Sequence, residues 1–312
     1  MIPCYNSDSD LLAKTLRSVL YQDQGCDMMQ IELIDDCSPK GAPIDVARTV
    51  SGSRIHVHRE TKNLGLAGIW NRCIERARGD IVHILHQDDL VYPGYYKAMQ
   101  RGFDDNPKIG AAFSRYAYCD ANDHWQSLPR LLSSIPVVLD NLYRKIATED
   151  CIQCASISVR KSTYEKIGGF SSKLKHALDW EMWMRISSSY PLYYDPSILA
   201  AWRRHSSATT SRQINNGENT MDIVDAIELW RAYLPASERT QLASAAKRQH
   251  AQGALLLAEG LLREGKKTGA LQHLKAATLL DERLSIKAYS SYLRLKFAVR
   301  FLIQPIARGK HG

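Results

Sequence analysis

Along the first third of the chain, apolar residues alternate between two rhythms. Residues 10–21 place Leu11, Leu12, Thr15, Leu16, Val19 and Leu20 at helical spacing, with Ser7, Asp8 or Ser9 as candidate caps. Ile31–Ile34 reads as a short strand that stops at Asp35-Asp36-Cys37-Ser38-Pro39. A short helix is expected over 43–50 and a third strand over Ile55–His58. Asn63-Leu64-Gly65 opens a helix running to about Arg78, with Gly79 as its stop. Ile81–Leu85 is apolar enough for a buried strand, and His86-Gln87-Asp88-Asp89 ends it abruptly. Pro93 and Gly94 then break the chain before a helix over 95–104. Alternation of helix and strand is the mark of a parallel α/β sheet. That order calls for a strand ahead of the first helix. Only Met1-Ile2 stand there, before the turn-like Pro3-Cys4-Tyr5-Asn6. The sheet is therefore expected to lack a buried strand and to leave neighbouring backbone groups unpaired. On this reading the natural product begins upstream, and restoring that segment raises soluble yield and activity.

Further along, Ile109–Tyr118 and Ile152–Val159 read as strands, with a helix around 138–147 between them. A helix over 161–167, the turn Gly168-Gly169 and a helical Asp179–Ile186 follow. Tyr193–Trp202 is irregular or strand-like and leads into Arg203-Arg204-His205. From about 218 the pattern is wholly helical, with Pro235-Ala236-Ser237 as a linker. Residues 249–281 resemble a single tetratricopeptide-type hairpin. One such repeat cannot bury its own face, so it is expected to dock on the main domain or to dimerise. The last helix, 286–304, sets Lys287, Arg294, Lys296 and Arg300 among apolar residues. It reads either as a packing helix with a basic outer face or as a helix lying on a membrane surface. The implied domains are 1–215, a helical connection over 216–237, and a small all-α region over 238–312.

Composition narrows the class. The 312 residues are 45% hydrophobic and 24% charged, as in an ordinary globular protein. No apolar run approaches the roughly 18–20 residues of a transmembrane helix, and no basic-then-apolar leader opens the chain. A cytoplasmic location is the default expectation. Seven scattered cysteines do not form a disulfide framework. The one C-x-x-C, Cys151 and Cys154, lacks the second pair a structural zinc needs. A formal charge of +8 favours an anionic partner such as a nucleotide, a phosphorylated lipid or an acidic membrane. Nucleic acid is disfavoured, because no motif interleaves aromatic and basic residues.

The chemistry concentrates at strand ends. Asp88 and Asp89 end a buried strand, where open α/β sheets bind ligands. Divalent cations of the Mg²⁺ type seek such oxygens and share them with substrate phosphates. A plain helix cap is the competing explanation. The stretch Ile2-Pro3-Cys4-Tyr5-Asn6, the pair Asp35-Asp36 with Ser38, Asn63-x-Gly65, His86-x-Asp88-Asp89 and Asp179-Trp180-x-x-Trp183 resembles, in order and spacing, family 2 glycosyltransferases. The resemblance covers roughly residues 1–215. It implies the GT-A fold: a nucleotide-binding, Rossmann-like mixed α/β sheet flanked by helices.

The resemblance also implies roles. Pro3, Tyr5 and Asn6 would lie in the loop against the nucleotide base. Asp36 would contact the base or ribose, and Asn63 and Asn71 would flank the nucleotide. Asp88 would bind Mg²⁺ or Mn²⁺, its neighbour Asp89 would reach the sugar, and His205 would lie near the diphosphate and metal. Asp179 would be the general base, with Glu181 as fallback. The partners would be a nucleotide-diphosphate sugar donor and a saccharide or lipid-linked acceptor, in bacterial surface polysaccharide or lipid-linked saccharide synthesis. The basic last helix would suit peripheral contact at the inner face of a membrane. Two features depart from the family pattern: His86 replaces the first aspartate of D-x-D, and Leu178 replaces a glutamate before the base. A catalytically impaired binding protein and an assembly module are therefore the alternatives.

Overall fold

Residues Ile2–Cys4 form a strand, β1, paired in parallel with β2 (Glu32–Asp35) through Ile2–Leu33, Pro3–Ile34 and Cys4–Asp35. β3 (His56–Arg59) adds in parallel to the other side of β2. The position where a strand was expected to be lacking is thus taken by Ile2 of the Met1-Ile2 stub together with Pro3 and Cys4, which were read as a turn. Met1 also donates its amino group to His83 O at 2.9 Å and accepts from Leu85 N at 3.0 Å. These two bonds join the three-stranded sheet to a second, larger one. They stop there because the next donor facing that side would be Pro3, which has none.

The computed structural model describes residues 1–40, 42–149, 151–205 and 209–307. The chain forms two compact units, Met1–His205 and Ser206–Gly312. In the first, α1 (Ser9–Leu20) is capped by Asp8, whose carboxylate accepts from Asp10 N and Leu11 N. It buries Leu12, Thr15, Leu16 and Val19, the positions its period selects. α2 (Pro43–Ser51) and α3 (Gly65–Arg76) connect the parallel strands. α3 ends at Arg76 with Ala77 already extended, so Gly79 is not its stop.

The larger sheet takes β4 (Ile81–His83), β5 (Leu90–Val91), β6 (Ala111–Cys119), β7 (Trp125–Ser127), β8 (Val137–Leu139), β9 (Ile157–Arg160) and β10 (Leu192–Arg203). Its main path runs β4-β9-β6-β10-β5, with β7 on β6 and β8 on β10. β6 and β10 are parallel; the other pairs are antiparallel. Among the described residues the unit also has the helices α4 (Tyr95–Asp105), α5 (Tyr143–Ile146), α6 (Lys161–Ile167) and α7 (Leu178–Ser189). Three expectations change here. The helix expected over 138–147 is β8 followed by the single turn α5. The strand expected over 152–159 is a 3-10 turn at Cys154–Ser156 followed by β9. β5 was not expected at all, because two residues carry no period. The core between layers holds Leu12, Leu16, Leu33, Tyr95, Phe103, Tyr116 and Ala200.

The second unit is α8 (Thr209–Asn216), α9 (Glu218–Trp230), α10 (Ala236–Arg263), α11 (Lys267–Leu280) and α12 (Leu284–Ala307). Pro235 is no linker; it caps the 28-residue α10. α10 and α11 form the hairpin, seamed by Ala254, Leu255, Ala258 and Leu262 against Ala270, Leu274 and Ala277. Its faces are covered inside this unit by α8, α9 and α12. His273, fully buried, bonds Ile214 O at 2.8 Å and Thr220 Oγ1 at 2.7 Å. Docking or dimerisation is therefore not needed to bury the hairpin.

Candidate functional site

The strand ends of β1, β2 and β4 meet through their loops. β2 delivers two carboxylates with different surroundings. Asp35, fully buried, accepts from Ser38 N, Ser38 Oγ and Arg59 Nη1 at 3.1, 2.5 and 2.7 Å, so it is a structural acid. Asp36 accepts from Leu64 N (2.6 Å), Gly65 N (3.1 Å) and Asn63 Nδ2 (2.9 Å). It thereby holds the free N–H groups at the start of α3. Burial raises its pKa, against the pull of the two backbone donors. A carboxylate has about four acceptor positions; three are filled here, and the residue is only 2% exposed. Asn63 acts through Asp36, donating to its carboxylate and to its carbonyl.

Pro3, expected in a loop, is buried inside β1. Tyr5 and Asn6 do lie beyond the strand end and are exposed. Asn6 adopts φ +48°, its N–H donates to Ser38 Oγ at 2.9 Å, and its Oδ1 accepts from Lys40 N at 3.1 Å. Tyr5 exchanges backbone bonds with the Gln87 side chain: N to Oε1 at 2.8 Å, and Nε2 to O at 3.3 Å. The loop after β1 is thus fastened to the loop after β4.

That second loop carries His86 to Asp89. Asp88 Oδ2 lies 2.9 Å from His205 Nε2, with both side chains mostly buried. Burial alone would raise the Asp88 pKa; the His205 hydrogen bond and the charges of His86 and His205 outweigh it and hold the carboxyl low. Asp89, expected to reach the sugar, turns inward instead. It is 2% exposed, accepts from Arg203 N at 2.9 Å and faces His86 Nδ1 at 3.5 Å. Burial and then the Asp88 charge push its pKa well up. The reason is accounting for backbone donors: the N–H of Arg203 at the end of β10 requires a buried acceptor. His86 stacks on Trp70 at 4.8 Å, and burial lowers its pKa while Asp88 and Asp179 both pull it up.

Asp179 lies in the first turn of α7, with Trp180 N donating to its Oδ1 at 2.8 Å. Burial raises its pKa, against His176, the Trp180 N–H and His86. His86 therefore stands electrostatically between Asp88 and Asp179. Glu181 is excluded as an alternative base, being fully buried and paired with Arg185 at 2.8 Å. Trp180 Nε1 donates to Ile146 O at 2.8 Å, and Trp183 is buried.

Asn71, expected beside the nucleotide, is a bridge between α3 and the turn before α7. Its Nδ2 donates to Phe170 O at 3.0 Å and its Oδ1 accepts from Phe170 N at 2.7 Å. Residue 169 must be glycine for this, since a Cβ there would stand 2.3 Å from Asn71 Oδ1. Phe170 in turn meets Trp70 edge-on at 4.9 Å, behind the His86 ring.

Sequence reasoning missed the residues that hold the Asp88-Asp89 loop in place. Arg203, 1% exposed, donates to Asp88 O and to Asp123 Oδ1, the latter through Nε at 2.9 Å and Nη2 at 2.5 Å. Lys14 completes the set with a 2.7 Å bond to Asp123 Oδ2. The Thr15 hydroxyl lies 2.9 Å from Gln87 O and 2.8 Å from Asp89 O. A buried arginine two residues before His205 was the one legible signal.

The donor set admits a divalent cation. Asp88 Oδ2 and His205 Nε2 stand at the separation, about 3 Å, of adjacent ligands around an octahedral centre with bonds of about 2.1 Å. Two protein ligands would leave the remaining positions to phosphate oxygens and water. Among the described residues no group of three or more His, Cys, Asp or Glu is disposed to hold a metal by itself.

Comparison with known proteins gives a consistent picture. Glycosyl transferase family 2 matches residues 1–167. An uncharacterized Mycobacterium tuberculosis protein, MT1568, is 28% identical over 233 residues, covering 71% of each chain. The succinoglycan biosynthesis protein ExoU of Rhizobium meliloti is 23% identical over 252 residues, 78% of this chain and 71% of that one. Among solved structures, the mannosyltransferase PcManGT from Pyrobaculum calidifontis, in complex with GDP-Man and Mn²⁺, superimposes with a TM-score of 0.59 at 18% identity, covering 96% of this chain and 85% of that one. S. aureus TarS 1–349 in complex with UDP-GlcNAc gives 0.57 at 14% identity, covering 90% and 91%. At such identities the structural likeness establishes the fold.

Proposed function

The chain belongs to glycosyl transferase family 2, and from that premise we propose that it moves a sugar from a nucleoside-diphosphate donor to an acceptor hydroxyl in one displacement, inverting the anomeric centre with the help of Mg²⁺ or Mn²⁺. The observation that carries this is the 2.9 Å pairing of Asp88 with His205, next to an imidazole, His86, that feels both Asp88 and Asp179.

The division of labour follows from surroundings. Asp36 orders the start of α3, and the base or ribose would lie between that helix start and the exposed Tyr5 and Asn6. Asp88, whose carboxyl is held low, and His205 would hold the cation. A cation there supplies Lewis-acid stabilisation of the charge that develops on the departing diphosphate. The nitrogen donor favours Mn²⁺ over the harder Mg²⁺. Asp179 takes the acceptor hydroxyl's proton as the new bond forms. Its raised pKa makes it a better base than an exposed aspartate. One base and one cation suffice for direct displacement, so no protein nucleophile is required.

The relatives' names support a bacterial surface-polysaccharide or lipid-linked saccharide setting, ExoU through succinoglycan biosynthesis. GDP-Man and UDP-GlcNAc, bound by the structural neighbours, are the first donors to try. Calorimetric titration of UDP and GDP with and without Mn²⁺ tests the donor half. One nucleotide binds more tightly with Mn²⁺, and Asp88→Asn removes the difference. Affinity indifferent to Mn²⁺ in the wild-type chain would overturn it.

A further inference from the structure

α12 is anchored by one stripe and presents another. Ile286, Ser290 and Leu293 are buried, and Ile286 and Leu293 join the α10–α11 core. The rest of the described part of the helix is exposed, including Tyr289, Tyr292 (51%) and Leu295 (67%). Tyr289 reaches α10, donating to Glu259 Oε2 at 3.2 Å. One turn earlier on α10, Leu256 is 70% exposed. The two tyrosine rings stack at 5.9 Å, and Lys296 Nζ sits 5.4 Å from the Tyr292 ring. Two acids border this patch: Glu259 is paired with Arg263 at 2.7 Å, and Glu282 Oε2, itself exposed, lies 3.8 Å from Lys287 Nζ. Between Leu284 and Lys296 the charges are Lys287, Arg294 and Lys296, with no carboxylate.

Exposed tyrosine and leucine beside lysine and arginine is the composition of a helix at a lipid–water boundary. Tyrosine pairs an apolar ring with a wet hydroxyl, and the long basic stems lie along apolar surface while their heads stay in water. No helix among the described residues is long and apolar enough to cross a membrane, so contact would be from the side. A second copy of the chain is the poorer occupant. A two-fold interface through this face would set Lys287, Arg294 and Lys296 against themselves. An anionic lipid surface answers both the apolar and the basic residues.

We propose that the exposed side of α12, with Tyr292 and Leu295 at its middle, Lys296 on one edge and Lys287 and Arg294 on the other, docks on an anionic lipid surface. It uses the helical unit alone, so it stands or falls separately from the catalytic assignments. A lipid-linked acceptor would be met at such a surface.

Flotation of the full chain with phosphatidylcholine vesicles, with and without phosphatidylglycerol, tests this. The wild type floats with the anionic vesicles, and salt releases it. The triple variant Lys287→Gln, Arg294→Gln, Lys296→Gln weakens binding on the order of a hundredfold, at roughly fivefold per charge. The double variant Tyr292→Ser, Leu295→Ser, which touches no buried position, also weakens binding and keeps the wild-type circular dichroism. Three results would overturn the proposal: no flotation of the wild type, equal flotation with neutral vesicles, or a wild-type dimer that the double variant converts to monomer.

Discussion

Asp88 and His205, 117 residues apart in the chain, meet at 2.9 Å between Oδ2 and Nε2. One comes from the loop after β4, the other from just beyond β10. The contact joins two chain segments that leave the larger sheet from separate, non-adjacent strands.

His205→Ala is therefore expected to raise the Mn²⁺ concentration for half-maximal activity by about 10–100-fold, the usual effect of losing a partner at a metal site. Thermal stability falls as well, since the mostly buried Asp88 carboxylate loses its hydrogen-bond partner, so the metal dependence is read below the melting transition of both proteins. A metal titration of turnover, with a melting curve alongside, reads both.

Arg203→Met removes a buried guanidinium from Asp88 O and Asp123. Asp123 keeps Lys14, but the Asp88 carbonyl loses its charged donor. A loss of about 2–4 kcal/mol in unfolding free energy is expected, measured by urea titration. Activity falls as well, because the loop carrying Asp88 loosens. Arg203→Lys recovers only part, since one ammonium cannot reproduce the fork.

Asn71 separates two accounts cleanly. As a bridge to Phe170, its replacement by Ala strands a buried N–H and C=O, at a cost of about 1–3 kcal/mol in stability, with donor KM near the wild-type value. Direct contact with the nucleotide would instead raise donor KM and leave stability alone. Urea unfolding and donor kinetics on one preparation decide between them.

His83 gives the fold an acid sensitivity. It packs on Tyr95 at 4.7 Å and bonds Ala155 O at 3.2 Å, and burial pushes its pKa down to about 3. The unfolded state, with an ordinary value near 6.5, binds the extra proton between those limits. The stabilising contribution is thus complete above about pH 6.5 and declines as pH falls toward 3, by up to about 1.4 kcal/mol per unit. His83→Gln is expected to flatten the slope of unfolding free energy between about pH 6 and 4 relative to wild type. Equal slopes would show that His83 is not the group responsible.

How much of this could be seen in the sequence depended on whether a residue acts within its own element. α1, α2 and α4 were legible, because each buries one stripe of an amphipathic period. β10 was legible only as irregular or strand-like, since Asp195 and Pro196 interrupt it and its register with β6 shifts beyond Asp195. β1 was read as no more than the stub Met1-Ile2, with Pro3 and Cys4 placed in a turn; in the structure the missing Pro3 donor falls where the pairing with the β4 side ends. Asp36, Asp88 and Asp179 were singled out through ordered motifs and a family resemblance. Asp89 and Asn71 were assigned outward roles on the same motifs, yet each serves a backbone group contributed by a distant element. The contacts by which Arg203, Asp123 and Thr15 hold the Asp88-Asp89 loop escaped the sequence reading for the same reason.

The account rests on a cation site at Asp88 and a base at Asp179 acting on one sugar nucleotide. The most direct measurement is release of nucleoside diphosphate from a panel of nucleotide sugars by the full chain, with Mn²⁺ or with chelator, for wild type, Asp88→Asn and Asp179→Asn. At least one donor should be turned over by the wild type only when metal is present, and both variants should lose that turnover by a factor on the order of 10²–10⁴, the range for a missing acid–base group. Turnover that persists in chelator, or that survives both substitutions, would contradict it.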